Sequence, residues 1–167
     1  GELQGILDRR VWDPRHDHEL TRKQQRRPLH EKWVITEKKT PEGVFEKIKA
    51  RMVVLGNLQT DEQLTTSTRS PTLSLHTIFV QAAIAAATSR CVFTFDVGQA
   101  FLNAQLNTVG SEDVILQLSK QTVKILLELD PTYIEFLRPD GTIRVTLHKA
   151  LYGLREAPKI WFDTIRA

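Results

Sequence analysis

The chain has 167 residues, of which 41% are apolar, 26% charged and 7% aromatic, a composition that excludes collagen-like, disordered and disulfide-scaffold proteins. No run approaches the ~18 consecutive apolar residues of a transmembrane helix and no apolar leader opens the sequence, so we expect no membrane partner. The formal net charge is +3, but residues 22–51 hold ten basic and four acidic residues, an excess suited to neutralising phosphates.

The first half of the chain predicts a hairpin followed by a helix. Residues 32–56 read as a two-stranded antiparallel β-hairpin, with turn chemistry at residues 40–43. Residues 57–71 form a polar connector. Residues 74–88 are rich in alanine and place apolar side chains at helical spacing, which predicts a buried helix.

The second half predicts a mixture of short strands and helices. Residues 91–97 predict a strand that delivers Asp96 to its carboxyl end and lies beside strands at 113–118 and 142–148. Helical segments are expected at 123–129, 133–137 and 155–166. Because strands and helices interleave without a regular βαβ rhythm, the predicted fold class is α+β.

Cys91 is the only cysteine, so the sequence contains no internal disulfide. Its apolar neighbours predict a small buried side chain, and the lack of disulfides favours a reducing intracellular compartment. The only methionine is Met52 and the chain begins at Gly1, so we expect a piece of a longer polypeptide.

Asp96 is the best single candidate for chemistry, because a carboxylate after an apolar run costs burial energy unless it caps, pairs or binds a metal. Taken alone, the residue fits a helix cap ahead of Gly98 better than it fits a metal ligand. Magnesium chemistry on phosphates needs more than one carboxylate. The sequence contains neither a GxxxxGK[ST] phosphate loop nor a GxGxxG fingerprint, which argues against P-loop nucleotide hydrolysis and dinucleotide binding.

Three blocks occur in a fixed order: KWVITEKKTPEGVFEKIKARMVVLGNLQ at 32–59, FTFDVGQAFLNAQL at 93–106 and LHKALYGLREAPKIWF at 147–162. Together they closely resemble the reverse transcriptase of copia-type LTR retrotransposons, an RNA-directed DNA polymerase. The resemblance implies the fingers hairpin and part of the palm of a right-hand polymerase, with an antiparallel sheet and packed helices.

The resemblance implies a catalytic role for the second block. Asp96 is similar to the first catalytic aspartate, which holds two Mg²⁺ ions together with the main-chain carbonyl of Val97. Phe101 is similar to the steric gate, an aromatic side chain that leaves no room for a ribose 2′-hydroxyl. The turn under the incoming triphosphate would consist of Gly98, Gln99 and Ala100.

The resemblance implies that the other two blocks contact the nucleotide and the template. Lys49 and Arg51 match the basic residues that grip the triphosphate, a task that suits the bidentate donors of a guanidinium. Gly153 and Pro158 determine the backbone of a segment that supports the template base and the nucleotide sugar. The implied partners are an RNA or DNA template with its primer, a dNTP and the remainder of the polymerase polyprotein.

The sequence departs from the family pattern in its extent. The later Tyr-x-Asp-Asp turn, which supplies the remaining catalytic acids, does not occur in these residues, and neither do thumb and RNase H regions. We expect residues 1–90 to be fingers-like, residues 91–167 to be palm-like and this fragment to be inactive alone. The expected location is the cytoplasm, in a retrotransposon particle, with a nuclear stage.

Two other interpretations stay open at the level of the sequence. One is a non-catalytic nucleic-acid-binding remnant of a retroelement, in which the basic hairpin persists. The other is a protein-interaction domain with Trp12, Trp33 and Trp161 as surface anchors, and it predicts exposed tryptophans.

Overall fold

A computed structural model describes residues 1–64, 66–106 and 113–167. The α-helices of this part of the chain, α1 to α5, span Glu2–Asp8, Arg22–Arg26, Leu75–Ala87, Lys120–Leu129 and Ala157–Arg166. The strands, β1 to β5, span Trp12–Arg15, Leu29–Lys39, Phe45–Val54, Ile115–Leu118 and Ile143–Leu147. Short 3-10 helices lie at Asp17–Glu19, Gly56–Leu58, Asp61–Gln63, Ala100–Asn103 and Pro131–Phe136.

The strands form one sheet in the order β1-β5-β4-β2-β3. Neighbouring strands are antiparallel except for β2 and β4, which run parallel where Leu29 lies opposite Leu116 and His30 opposite Gln117. The α+β class is therefore confirmed. The sheet is mixed rather than purely antiparallel, because the first residues of β2 pair with β4 before the strand continues into the hairpin.

The hairpin is confirmed. Strands β2 and β3 pair antiparallel from Glu31 opposite Val54 to Lys39 opposite Phe45. In the turn, the N–H of Gly43 donates to the carbonyl of Thr40 at 2.9 Å. Gly43 has a φ of +83°, a conformation that glycine adopts without steric cost.

The core lies between the sheet and helices α1, α4 and α5, which contribute side chains such as Ile6, Leu126 and Ile160. Its polar groups are paired where they are buried. The indole N–H of Trp12 donates to the hydroxyl oxygen of Tyr133 at 3.1 Å, and burial raises the pKa of the Tyr133 phenol. The predicted strands at 113–118 and 142–148 and the helical segments at 123–129, 133–137 and 155–166 are confirmed, with ends shifted by a few residues.

The prediction of a buried helix at 74–88 is right about the helix and wrong about its burial. Helix α3 begins after its N-cap Ser74, whose hydroxyl accepts the N–H of Thr77. Ala85 is its only buried residue, and Phe79 and Leu75 are each 63% exposed. Alanine-rich sequence favours a helix by itself, whereas burial needs a covering surface, and the described residues do not supply one.

The prediction of a strand at 91–97 is wrong. These residues are irregular and mostly exposed, with Phe95 at 88%, and Cys91 is exposed rather than buried. The edges beside which the strand was expected are taken: β4 lies between β5 and β2, and β5 lies between β1 and β4. A strand needs a hydrogen-bonding neighbour, and here the amino-terminal strand β1 occupies the second edge of β5.

The tryptophans do not behave as surface anchors. Trp12 is 3% exposed, and Trp33 and Trp161 are half-buried against the core. This burial contradicts the interpretation as a protein-interaction domain with tryptophan anchors. None of the helices in the described residues combines the length and the apolar character needed to cross a membrane.

Candidate nucleotide-binding site

The hairpin has two chemically different faces, because side chains alternate along each strand. The pairing register places Thr36 opposite Lys49 and Val34 opposite Arg51 on one face, which we call the basic face. The basic face carries five cationic residues, which are Lys32, Lys38, Lys47, Lys49 and Arg51. The other face carries Trp33, Ile35, Ile48, Ala50 and Met52. Within the described residues, Lys38 and Lys47 are paired with Glu46, whereas neither Lys49 nor Arg51 has a carboxylate within ion-pair distance.

Tyr152 lies against the basic face and connects two of the predicted site residues. The guanidinium carbon of Arg51 lies 5.7 Å from the centroid of the Tyr152 ring, which is within the range of a cation–π contact. The ring of Phe101 meets the Tyr152 ring edge to face, with centroids 4.9 Å apart and an interplanar angle of 63°. Residues from all three sequence blocks therefore come together at Tyr152.

The backbone around Tyr152 is locked against the base of the hairpin. The N–H of Val54 donates to the carbonyl of Tyr152 at 2.7 Å. Gly153 has a φ of +93°, and a Cβ atom at this position would lie 2.0 Å from the carbonyl oxygen of Val54. A Cβ atom at Gly56 would likewise lie 2.0 Å from the carbonyl oxygen of Gly153. Two glycines thus permit a backbone approach that side chains would prevent.

The start of helix α5 is tied to the connector that follows the hairpin. The guanidinium of Arg155 donates to the carbonyl of Gln59 at 3.1 Å and to the Asp61 carboxylate at 2.9 Å. The fully buried Glu156 carboxylate accepts from the side chain of Gln59 at 3.4 Å and from the N–H of Thr66 at 3.0 Å.

Pro158 follows in the first turn of α5, and its carbonyl accepts the hydroxyl of Ser70 at 3.1 Å. The connector therefore fixes the position of Pro158 relative to the hairpin.

The loop between Asp96 and Phe101 is held by the amino-terminal helix. Gln99 has a φ of +52°, an uncommon conformation for a residue with a side chain, which carries a cost of the order of 1 kcal/mol. Its side-chain amide donates to the carboxylate of Glu2 at 3.2 Å and lies directly over Gly5. Gly98 is exposed, with open space where a Cβ atom would be, so its backbone is accessible. Ala100 opens the 3-10 helix that carries Phe101.

Asp96 is exposed in the irregular segment that precedes this loop, and Val97 is half-buried. A carboxylate and a main-chain carbonyl are hard oxygen donors, which are the ligands that Mg²⁺ prefers. Within residues 1–64, 66–106 and 113–167, no three His, Cys, Asp or Glu side chains come together as a metal site would require. The donors present fit one side of a magnesium site, whose remaining oxygens would come from water, phosphate or further carboxylates.

The structure thus brings Arg51, Phe101 and Gly153 together around Tyr152, a residue to which the sequence analysis gave no role. Part of the signal was available, since Tyr152 is one of three aromatic residues in the third block, with Trp161 and Phe162. Its importance depends on contacts with residues far away in the chain, and these were not visible from the block alone.

Comparison with known proteins identifies the family. Residues 18–167 match the family described as reverse transcriptase (RNA-dependent DNA polymerase), and the chain belongs to this family. Similar proteins include the retrovirus-related Pol polyproteins from transposons RE2 and RE1 of Arabidopsis thaliana. Each is 28% identical over 135 residues, which cover 81% of this chain and 8% of the relative. No solved structure matches the chain significantly.

Proposed function

We propose that this chain is part of an RNA-directed DNA polymerase that copies retrotransposon RNA into DNA. The observation that carries the proposal is the meeting of Arg51 and Phe101 at the Tyr152 ring, since these two residues come from separate blocks and are both expected to contact one dNTP. Membership in the reverse transcriptase family supports the same activity.

In this proposal the triphosphate lies against the basic face of the hairpin. Lys49 and Arg51 bind its oxygens, and the accessible backbone of Gly98 and the left-handed turn at Gln99 offer further N–H donors. Phe101 excludes the ribose 2′-hydroxyl. The segment from Gly153 to Pro158 supports the nucleotide sugar and the template base.

The Asp96 carboxylate and the Val97 carbonyl would hold magnesium. When bound, Mg²⁺ would lower the pKa of the primer 3′-hydroxyl and would neutralise charge on the pyrophosphate leaving group. In the reaction the primer 3′-hydroxyl loses its proton to solvent and its oxygen forms a bond to the α-phosphorus. The bond between the α-phosphorus and the bridging oxygen breaks, and pyrophosphate leaves. Further carboxylates are required for two ions, and the proposal places them elsewhere in the complete polymerase.

The proposal includes a polyprotein context, which the names of the RE1 and RE2 relatives support. The chain spans 8% of the length of these relatives, so the complete protein would hold other parts of the polymerase. The division into fingers-like residues 1–90 and palm-like residues 91–167 stays a prediction. The sheet itself combines β1 to β3 with β4 and β5, which lie on opposite sides of that boundary.

The replacement Asp96→Asn in the complete polymerase tests the catalytic assignment. It keeps the shape of the side chain and removes the charge that holds divalent ions, so primer extension should fall by about 10³-fold or more. Template binding, measured by fluorescence anisotropy, should change little. Asp113→Asn, at an exposed carboxylate ahead of β4, is the matched control and should extend primers normally. Full activity of Asp96→Asn would overturn the proposed function.

The replacement Phe101→Val tests the steric gate. A smaller side chain admits the 2′-hydroxyl, so the ratio of kcat/KM for dNTP to that for rNTP should fall while dNTP incorporation persists in part. Phe101 is half-buried and packs against the core, so the melting temperature must be measured on the same sample. A folded variant with an unchanged ratio would remove the steric-gate assignment.

A further inference from the structure

Tyr152 contacts the two side chains that the proposed function places on the nucleotide. Its ring touches the Phe101 ring, and the Arg51 guanidinium lies over it. The two contacted residues are assigned to different parts of the nucleotide, Phe101 to the sugar and Arg51 to the triphosphate. The Tyr152 side chain therefore contacts both the residue expected to recognise the sugar and the residue expected to bind the triphosphate.

The backbone of Tyr152 is held in place by contacts with the end of β3. Its carbonyl accepts the N–H of Val54 at 2.7 Å, and the next residue, Gly153, is wedged against the end of β3. Phe101 stands in a short 3-10 helix that follows an exposed, irregular segment. The Phe101 ring therefore packs against a side chain whose backbone is fixed to the end of the hairpin.

The ring of Tyr152, rather than its hydroxyl group, makes these contacts. In the part of the chain that the structure describes, the phenolic oxygen has no hydrogen-bond partner. Edge-to-face packing and a cation–π contact both act through the aromatic ring. Tyr152→Phe removes only the hydroxyl group, whereas Tyr152→Leu removes the aromatic ring. Comparing the two variants therefore separates the contribution of the ring from that of the hydroxyl group.

We propose that Tyr152 is a specificity-determining residue, whose ring orients Phe101 toward the nucleotide sugar and Arg51 toward the triphosphate. Selection of dNTP over rNTP is then a property of the Phe101–Tyr152 pair and not of Phe101 alone. This inference rests on the proposed function, which assigns the nucleotide to this surface.

The test uses the complete polymerase and measures kcat and KM for dNTP and for rNTP. Tyr152→Leu should lower the dNTP to rNTP ratio of kcat/KM roughly five- to tenfold and raise the KM for dNTP, because both contacts of the ring are lost. Tyr152→Phe keeps the ring and should retain the wild-type ratio. Phe162→Leu is the matched control, since Phe162 also carries a cation–π contact, with Lys159, but touches neither Arg51 nor Phe101.

A double variant shows whether Tyr152 acts through Phe101. If it does, Tyr152→Leu added to Phe101→Val should lower the ratio no further than Phe101→Val alone, a non-additivity typical of residues in contact. A folded Tyr152→Leu polymerase with the wild-type ratio, or a fully additive double variant, would overturn the inference. A wild-type protein that fails to extend any primer would instead overturn the proposed function.

Discussion

Gly153 is the residue at which the backbone of the candidate site is most constrained. Its φ of +93° is unfavourable for any residue with a Cβ atom, and that atom would also meet the Val54 carbonyl oxygen at 2.0 Å. The positive φ has a local conformational cost. The clash with the Val54 carbonyl oxygen would in addition force the third block away from the hairpin.

Gly153→Ala should therefore destabilise the chain by more than the ~1–3 kcal/mol of a left-handed backbone alone. The free energy of unfolding from urea titration measures this cost. Gly43→Ala is the matched control, because Gly43 has a similar φ of +83° but open space around its Cβ position. Equal costs for the two variants would show that the close approach to Val54 contributes nothing to stability.

At the scale of elements, the base of the hairpin is fastened to the start of helix α4. The indole N–H of Trp33 donates to the Thr122 hydroxyl oxygen at 2.8 Å, and that hydroxyl donates to the Glu31 carboxylate at 2.7 Å. The same carboxylate accepts the N–H of Ser119 at 2.8 Å, where a negative charge suits the helix N-terminus. Beyond this point the hairpin is largely exposed, so the clamp of Glu31, Thr122 and Trp33 sets its direction.

Thr122→Val removes the hydroxyl from a fully buried position while keeping the shape of the side chain. It leaves the Trp33 N–H without its acceptor and should cost ~1–3 kcal/mol of stability. Hydrogen exchange should also quicken in the amides of β2 and β3 near the base of the hairpin. Thr122→Ser keeps the hydroxyl and should exchange like the wild type. If Thr122→Val left exchange in the hairpin unchanged, the clamp would not hold the hairpin.

The hairpin was predictable because its signals are local: alternating side chains and the turn at residues 40–43 lie next to one another in the sequence. The irregular structure of residues 91–97 was not predictable from the sequence. Their apolar pattern favours a strand, but it does not indicate which edges of the sheet are free. Strand β1 shows the converse. Its four residues include Pro14 and give a weak local signal, yet antiparallel pairing with β5 makes them a strand.

The candidate site divides in the same way. The resemblance to known polymerases pointed to Arg51 and Phe101 separately, and the structure brings both to Tyr152. The fastening of the Asp96 loop by Glu2 and Gly5 was not predictable, because each of these residues is more than ninety positions from Gln99 in the sequence.

At the scale of the whole molecule, charge is distributed unevenly. The net charge is only +3, whereas the basic face of the hairpin gathers five cationic residues on one surface. Away from the hairpin, the Asp17 carboxylate is engaged with Arg138 and Arg144. Burial lowers the pKa of the Arg144 guanidinium, and its contact with Asp17 opposes that shift. We therefore expect nucleic acid to be attracted to the basic face of the hairpin.

Binding of nucleic acid to this chain should weaken steeply with salt, because each neutralised phosphate releases a counterion. With about four phosphate contacts, affinity should fall roughly 100-fold between about 50 and 200 mM salt. Lys32→Gln and Lys49→Gln should each reduce the slope of log K against log salt by about one, as expected for one lost phosphate contact. Lys124→Gln, at an exposed lysine of α4 that is not part of the basic face, should leave the slope unchanged. Fluorescence anisotropy with a labelled RNA–DNA duplex measures the salt dependence of binding for all three variants. An equal loss of slope in Lys124→Gln would mean that binding is spread over the protein surface and is not located on the basic face.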